Sequence, residues 1–233
     1  MIDFLRNSVS HIFLNELLDS VIIDGPQLHH LSNVLRIKNN DVISAACNGK
    51  VRPYIVSDID KKNIQLEATS EGVEVKEKEI HIAVSLFKMD RLEWGISKAI
   101  ETGASSITIG NTSRSSFAVD RKKIERVQAR LNSIALSACS QSRRSNLVKV
   151  DIVDSLLEHA KGCENVFVCE PGESNMNTQI ATPVTFVIGP EGGFSEKELD
   201  LFRDFAQTIE ISPYILRAET AMAIAPTFIN RRI

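Results

Sequence analysis

The chain has 233 residues and a formal net charge of −3, with 43% hydrophobic and 24% charged residues. This balance is typical of a soluble globular protein of one or two domains, and no apolar stretch approaches the roughly 20 residues needed to span a bilayer. The pI near 6.0 argues against a large nonspecific nucleic-acid binder, but it is compatible with a local basic face.

The sequence also bears on location and metal binding. Charged and polar residues interrupt the N-terminal segment from Asp3 onward, so it does not form a secretory signal, and we expect a cytoplasmic protein. The cysteines form no CxxC pair and have no histidine at a partner spacing, so we expect reduced thiols and no metal site. They are Cys47, Cys139, Cys163 and Cys169.

The first third of the chain carries short β-like segments separated by turn signals. The segments are VIID, DVISAAC, VRPYIVSDI and NIQLEAT. Their spacing predicts a small antiparallel β-barrel or sandwich over residues 1–71. GPQLHHLSNVLRI predicts a short helix with one apolar face, formed by Leu28, Leu31, Val34 and Leu35. Residues 72–79 are charged and lack helical periodicity, so they are the predicted linker.

From residue 80 to 233 the pattern changes to strands that alternate with helices. The predicted strands are IHIAVSLF, SITIG, VKV, NVFVC, VTFVI and TIEI. The predicted helices are RLEWGISKAIETG ending at Gly103, residues 121–140, a segment around SLLEHA, residues 195–206 and residues 219–229. This alternation predicts an α/β domain with a mainly parallel sheet covered on both faces.

The stretch VTFVIGPEGGFSEKEL (184–199) joins a buried strand to a helix through a glycine-rich turn. Ser195 and Glu198 form a capping box that predicts the helix start. Glycines permit positive φ and close backbone approach, and the end of a parallel strand that faces a helix N-terminus is a common ligand site. The alternative is a tight strand–helix turn without a ligand, because turns favour glycine in any case.

Known phosphate-loop patterns do not fit this turn. A Walker loop requires a Lys-Ser/Thr pair, whereas position 194 is Phe, and the glycine spacing differs from the dinucleotide fingerprint GxGxxG. No GxSxG nucleophile elbow is present. Glu191 within the turn would repel phosphate. The turn therefore favours a ligand with a neutral or cationic part.

Two further loops are expected at the same edge of the sheet. ISPYILRAETAMAIA delivers Arg217, Glu219 and Thr220 after the last strand, and CEPGESN follows NVFVC. Because the carboxyl ends of parallel strands meet at one edge, the three loops should form a pocket. Arg217 and Glu219 have an alternative role as a local salt bridge that steadies the loop.

GPEGGFSEKEL followed by ILRAETA resembles the SPOUT methyltransferases of the RsmE family, bacterial enzymes that methylate N3 of a uridine in 16S ribosomal RNA. The resemblance covers nearly the whole chain, and its other segments are HHLSNVLRIKNND, KMDRLEWGISKAIETG and ACSQSRR. It implies S-adenosylmethionine as cofactor, a PUA-like N-terminal barrel and a trefoil-knotted C-terminal domain. It also implies a homodimer in which the barrel of one subunit and the catalytic domain of the other contact RNA.

The matching motifs imply a set of cofactor-binding residues. They are Gly189, Pro190, Glu191, Gly192, Gly193, Ser212, Ile215, Leu216, Arg217, Glu219 and Thr220. Uracil N3–H must lose its proton before or during attack; a positioned base can take this proton, and a cation can stabilise charge on the uracil oxygens. Our hypothesis assigns the cation to Arg217 and the base to Glu191 or Glu219.

The RNA contacts are predicted from basic residues, since lysine and arginine neutralise phosphates. The candidates are Arg36, Lys38, Arg114, Arg143 and Arg144. N3 lies on the Watson–Crick edge, so the target base must be unpaired or flipped out. For each single cation the alternative is a solvated helix face.

The chain departs from the family pattern at several positions. Ala218 stands in place of threonine, Ser212 in place of glycine, and Ser113 and Ser140 in place of glutamates. Two hypotheses from other classes therefore stay open. The first is a noncatalytic RNA-binding or ribosome-assembly factor with this fold, and the second is a nucleotide-binding regulator that uses the GPEGG turn.

Overall fold

The computed structural model describes residues 3–115, 123–172 and 180–230. The chain divides into two compact units. The first contains the residues up to Glu77 together with Cys139–Leu147, and the second contains Lys78–Ala138 and the residues from Val148 onward. The sequence assigns Cys139–Leu147 to the C-terminal domain 80–233, whereas in the structure this segment packs with the first unit. Within the described ranges, no helix is long and apolar enough to cross a membrane.

The first unit is built around a six-stranded sheet. Its elements are α1 (Asp3–Asn7), β1 (Ser10–Phe13), β2 (Ser20–Ile23), α2 (Gly25–His29), β3 (Val42–Cys47), β4 (Lys50–Ile59), β5 (Ile64–Ala68) and β6 (Val73–Glu74). The strand order is β1-β3-β4-β5-β2, β6 pairs with β4, and every pair except β1–β3 is antiparallel. The four predicted segments correspond to β2–β5. The short strand β6 lies within the predicted linker 72–79.

The predicted helix over GPQLHHLSNVLRI forms with an altered final turn. After α2 the chain continues as one π-helical turn (His30–Val34), in which the Leu35 amide donates to the His30 carbonyl over 3.1 Å. The wider turn breaks the 3.6-residue period. Leu31 is fully buried, but Val34 and Leu35 are 61% and 41% exposed. The prediction of one shared apolar face is therefore wrong for these two residues.

His11 connects strand β1 to the Cys139–Leu147 segment within the first unit. Its ring is buried, with Nε2 2.8 Å from the Arg144 carbonyl and Nδ1 2.8 Å from the Ser44 hydroxyl. Because a carbonyl only accepts, Nε2 carries the proton and Nδ1 accepts from Ser44. Burial lowers the pKa of His11 to about 4, the hydrogen bond to Arg144 opposes this shift, and the charge of Arg143 adds to it.

We expect this histidine to make the first unit sensitive to acid. Its pKa is about 4 in the folded protein, against 6.5 for an unperturbed histidine, so the unfolded chain binds more protons between these values. Its contribution to the free energy of unfolding is complete above pH 6.5 and is lost progressively as pH falls toward 4. The loss reaches about 2 kcal/mol at pH 5. Urea unfolding of wild type and His11→Asn at pH 7.5 and pH 5 measures this loss.

Other groups also titrate in this range, so the prediction concerns the difference between the two proteins. The wild-type chain should lose about 2 kcal/mol more than His11→Asn on acidification. A matched variant at an exposed histidine, His29→Asn, should retain the wild-type pH dependence. Equal losses in wild type and His11→Asn would contradict the prediction.

The second unit contains a six-stranded sheet in which every neighbouring pair is parallel. Its strands are β7 (Ile80–Ser85), β8 (Ser106–Gly110), β9 (Lys149–Val153), β10 (Val166–Cys169), β11 (Val184–Ile188) and β12 (Gln207–Ile209). Its helices are α3 (Met89–Thr102), α4 (Ile124–Ser142), α5 (Leu156–Lys161), α6 (Glu196–Arg203) and α7 (Ala218–Asn230), and α4 ends within the segment of the first unit. The predicted α/β class with a mainly parallel sheet is confirmed. Residues 121 and 122 of the predicted helix 121–140 lie outside the described residues.

The strand order of this sheet positions the candidate site. The order is β12-β10-β11-β7-β8-β9: the chain runs from β7 through β8 to β9 at one edge, then enters β10, moves inward to β11 beside β7, and passes back across β10 to β12 at the other edge. Because the strands are parallel, their carboxyl ends share one edge of the sheet, where loops can enclose a ligand. The loops after β10, β11 and β12 leave the sheet from three adjacent strands.

Candidate functional site

A cavity of about 390 Å³ lies where the loops after β10, β11 and β12 meet. This volume falls within the range of small-molecule sites. The cavity is lined by many of the residues that the sequence motifs single out: Gly189, Pro190, Glu191, Gly193, Ser212, Ile215, Leu216 and Arg217. Gly192, Glu219 and Thr220 are not among its lining residues. The last residues of CEPGESN, 173–175, lie outside the described part of the chain.

The GPEGG loop is shaped by two of its glycines. Gly193 has φ of +66°, and a Cβ built on it would meet no atom within 4 Å. Its amide donates to the Pro190 carbonyl over 2.9 Å, which closes the turn. A Cβ on Gly189 would lie 3.2 Å from the Phe194 ring, so this glycine lets Phe194 pack closely. The loop therefore presents bare backbone to the cavity at Gly193.

Helix α6 begins immediately after this loop, as the sequence predicts. The Ser195 hydroxyl accepts from the Glu198 amide, and the Glu198 carboxylate accepts from the Ser195 amide over 2.9 Å. Both halves of the capping box are present, which fixes the direction in which the chain enters the helix.

The loop after β12 leaves apolar side chains uncovered beside the cavity. Tyr214 and Ile215 are 78% and 87% exposed, and the Tyr214 amide donates to the Ser212 hydroxyl over 3.1 Å. Arg217 is exposed and lines the cavity. Its carbonyl accepts from the Ala221 amide over 2.9 Å at the start of α7. A cation and apolar surface thus lie next to each other at this wall.

Arg91 links the two acidic residues that the sequence nominates. Its Nη1 lies 3.6 Å from Oε1 of Glu191, and its Nε lies 3.9 Å from Oε1 of Glu219. Glu219 is only 8% exposed, and within the described residues its Oε2 has no hydrogen-bond partner. The sequence interpretation does not single out Arg91, because one arginine at a helix start carries no motif.

The predicted RNA contacts differ in their surroundings. Arg36 and Lys38 are exposed in the loop before β3. Arg114 donates to the carbonyls of Gly192 and Phe194 over 2.9 and 3.1 Å. Arg143 has φ of +57° and donates to the Ser8 carbonyl over 2.7 Å. The side chains of Arg114 and Arg143 are thus engaged with main-chain groups, which sets them apart from the first two.

Arg144 has a structural role within the first unit. It is 8% exposed and pairs with Glu77 over 2.6 Å. Burial would raise the pKa of Glu77, but hydrogen bonds from Arg144 and Ser145 outweigh it and lower the pKa. Removing one partner would leave a buried charge, so this pair holds Cys139–Leu147 against the segment that ends at Glu77. It is unsuited to a phosphate contact.

Two residues that depart from the family pattern, Ser113 and Ala218, have defined surroundings in the structure. Ser113 donates through its amide and its hydroxyl to the carboxylate of Glu198, over 2.8 and 2.6 Å. Ala218 is buried at the first position of α7, where it also lines the cavity.

Within the described ranges, no group of three or more histidine, cysteine or acidic side chains is arranged to hold a metal ion.

Comparison with protein families gives two matches. The family described as RNA methyltransferase domain matches residues 74–230. The family described as RNA methyltransferase PUA domain matches residues 23–69. The chain is also similar to the ribosomal RNA small subunit methyltransferase E of Bacillus subtilis (strain 168), with 30% identity over 227 residues that cover 89% of this chain and 88% of the relative.

Solved structures agree with these matches over nearly the full length. Ribosomal RNA small subunit methyltransferase E from Neisseria gonorrhoeae, bound to S-adenosyl methionine, is 25% identical with a TM-score of 0.81, covering 95% of this chain and 96% of that chain. A methyltransferase from Legionella pneumophila with bound cofactor shares the fold, with a TM-score of 0.83 at 22% identity and coverage of 96% and 97%.

Proposed function

Since the chain belongs to the ribosomal RNA small subunit methyltransferase E family, we propose that it transfers a methyl group from S-adenosylmethionine to 16S ribosomal RNA. The observation that carries this proposal is the cavity formed by the GPEGG and ILRAETA loops at the carboxyl end of a parallel sheet. A narrower part of the proposal is the acceptor atom, which we take to be N3 of a uridine.

The residues around the cavity fit this cofactor. When bound, S-adenosylmethionine supplies an electrophilic methyl group on a cationic sulfonium. The carboxylate of Glu191 in the wall suits a cation. The buried Oε2 of Glu219 has no hydrogen-bond partner among the described residues, and both carboxylates lie near Arg91. The bare backbone at Gly193 allows close approach. The backbone of residues 189–191, 193, 212 and 215–217, which line the cavity, would hold the cofactor.

The protein's own contribution to methyl transfer is positioning and proton removal. Holding donor and acceptor in line supplies most of the rate enhancement. Arg217 lines the cavity and is exposed, so it stabilises the charge that develops on the uracil oxygens. Glu191 also lines the cavity, whereas Glu219 does not. We therefore assign the base to Glu191 and a supporting role to Glu219.

We also propose RNA contacts, a dimeric assembly and a knotted chain topology. We assign Arg36 and Lys38, which are exposed, to RNA phosphates. Arg114 is also exposed, but its guanidinium donates to the carbonyls of Gly192 and Phe194, and Arg144 is left out because of its ion pair with Glu77. The trefoil knot and the homodimer are proposed from the sequence resemblance, which extends through the motifs of both domains. The cytoplasmic location is proposed from the ribosomal RNA substrate.

The test combines cofactor binding with analysis of the product. Calorimetry should show saturable binding of S-adenosylmethionine and none of ATP, and nucleoside mass spectrometry of treated small subunits should show 3-methyluridine in 16S RNA. Arg217→Ala should lower the transfer rate by roughly 100-fold with nearly unchanged cofactor affinity. Arg203→Ala, at an exposed arginine of α6, is the control and should behave as wild type.

Each other outcome has a defined meaning. Cofactor binding without transfer to subunits or RNA would support a noncatalytic RNA-binding or ribosome-assembly factor. Binding of ATP alone would support a nucleotide-binding regulator. A different methylated nucleoside would keep the methyltransferase and overturn only the uridine N3 assignment. An Arg217→Ala variant with full transfer rate would remove the cationic role of this residue.

A further inference from the structure

The segment between β8 and residue 115 reaches across to the GPEGG loop. The Nη1 atom of Arg114 donates to two main-chain carbonyls on either side of Gly193, those of Gly192 and Phe194, over 2.9 and 3.1 Å. The side-chain stem also lies along the loop, since a Cβ on Gly192 would be 3.7 Å from Cδ of Arg114. The guanidinium therefore spans the glycine whose backbone is open to the cavity.

Ser113 holds the helix end of the same loop. Its amide and hydroxyl donate to the two carboxylate oxygens of Glu198, which also accepts from the Ser195 amide. Burial would raise the pKa of Glu198, but the hydrogen bonds from Ser113 and Ser195 outweigh it and lower the pKa. A carboxylate with this many donors is firmly held. The loop is thus tied at Gly192, at Phe194 and at the start of α6.

The segment is itself fastened to the sheet. The hydroxyl of Ser85, fully buried at the end of β7, lies 2.7 Å from the Thr112 hydroxyl and 3.0 Å from the Ser115 hydroxyl. The Thr112 amide donates to the Ser115 hydroxyl over 2.9 Å. Because β7 pairs with β11, the strand that carries the GPEGG loop, these contacts connect the sheet to that loop through a few residues.

We propose that Arg114 and Ser113 are positioning residues that hold the GPEGG loop in its cofactor-binding shape, and that Arg114 is not an RNA phosphate contact. The proposal rests on the proposed function in naming S-adenosylmethionine as the ligand. A glycine-rich loop loses much conformational entropy when it is fixed. Contacts that fix it before binding reduce this cost and raise affinity. Ser113, a departure from the family pattern, supplies one of the fixing contacts.

Calorimetry with S-adenosylmethionine and a salt titration of ribosomal RNA binding separate the two roles. Arg114→Ala should raise the cofactor Kd at least tenfold and leave the salt slope of RNA binding unchanged. Arg114→Lys, which provides a cation with different donor geometry, should recover only part of the affinity. Ser113→Ala removes the hydroxyl but keeps the hydrogen bond from the main-chain amide of residue 113 to Glu198, so it should raise the cofactor Kd only about threefold. Arg203→Ala is the matched control and should change neither quantity.

A second measurement does not depend on the cofactor. Hydrogen exchange of the free protein should show at least tenfold faster exchange of the amides of residues 192–195 in Arg114→Ala, with an unchanged urea midpoint. Failure of wild type to bind S-adenosylmethionine would refute the proposed function, while the exchange result would still decide the positioning role. Two results for Arg114→Ala would overturn the inference. One is unchanged amide exchange of residues 192–195; the other is a salt slope of RNA binding that is smaller in magnitude by about one while the cofactor Kd is unchanged.

Discussion

Gly193→Val is expected to weaken S-adenosylmethionine binding by at least 100-fold while the protein stays folded. Gly193 has φ of +66°, a conformation that costs a β-branched residue about 1–3 kcal/mol. No atom lies within 4 Å of a Cβ at this position, and Gly193 lines the cavity. The valine side chain would therefore occupy ligand space in addition to straining the loop. Calorimetric titration of the purified variant measures the loss.

Gly25 provides a matched control for backbone strain. Its φ is +57°, it also has no atom within 4 Å of a Cβ, and it lies in the first unit. Gly25→Val should lower the free energy of unfolding by about as much as Gly193→Val does, but it should leave the cofactor Kd unchanged. Gly193→Ala separates backbone strain from obstruction of the cavity, because the alanine side chain adds little volume. We expect this variant to lose cofactor affinity by about tenfold. Wild-type affinity in Gly193→Val would contradict a cofactor role for the GPEGG loop.

The second unit follows closely from sequence pattern. Several of its strands are short runs rich in β-branched and aromatic residues, such as Val184–Ile188, in which every residue is buried. Runs of this kind are typical of parallel strands. Gly103 ends α3 with φ of +117°, as the sequence predicts from a glycine after the last helical turn. Here local propensity and tertiary structure agree.

The first unit is less predictable because its departures depend on distant partners. Strand β1 begins with Ser10 and His11, both buried, so it lacks the alternating apolar signal of an exposed-face strand. Arg144 meets Glu77 at a separation of 67 residues. The sequence predicts one continuous helix over 121–140, and nothing in it marks Ala138 as the last residue of one unit and Cys139 as the first residue of the other.

The candidate site divides in the same way. The meeting of the loops after β11 and β12 could be predicted, because carboxyl ends of parallel strands share one edge. The contacts of Arg114 with Gly192 and of Ser113 with Glu198 could not, since they join residues 78 and 85 positions apart. A hydrogen bond from a side chain to a distant main-chain carbonyl produces no motif or residue spacing that could be recognised in the sequence. Basic character alone therefore suggested a phosphate contact for Arg114.

The packing of α3 against α7 explains why glycine stands at position 95. A Cβ on Gly95 would lie 2.7 Å from Sδ of the fully buried Met222 and 3.3 Å from Cα of Glu219. Arg91 is one turn earlier in α3, and positions four residues apart share a helix face. Close approach of the two helices at Gly95 thus accompanies the approach of Arg91 to Glu219, with 3.9 Å between Nε and Oε1.

Gly95→Leu is accordingly expected to lower the free energy of unfolding by about 3 kcal/mol, the upper end of the usual range for overpacking. This loss would occur although leucine is the better helix former by several tenths of a kcal/mol. Urea unfolding of four proteins tests it: wild type, Gly95→Leu, Met222→Ala and the double variant. The double variant should be more stable than the two single losses predict, because leucine then fills the space of the methionine. Additive losses, or a loss below about 1 kcal/mol in Gly95→Leu, would contradict this close packing. Ser97→Ala in the same helix is the control and should change stability little.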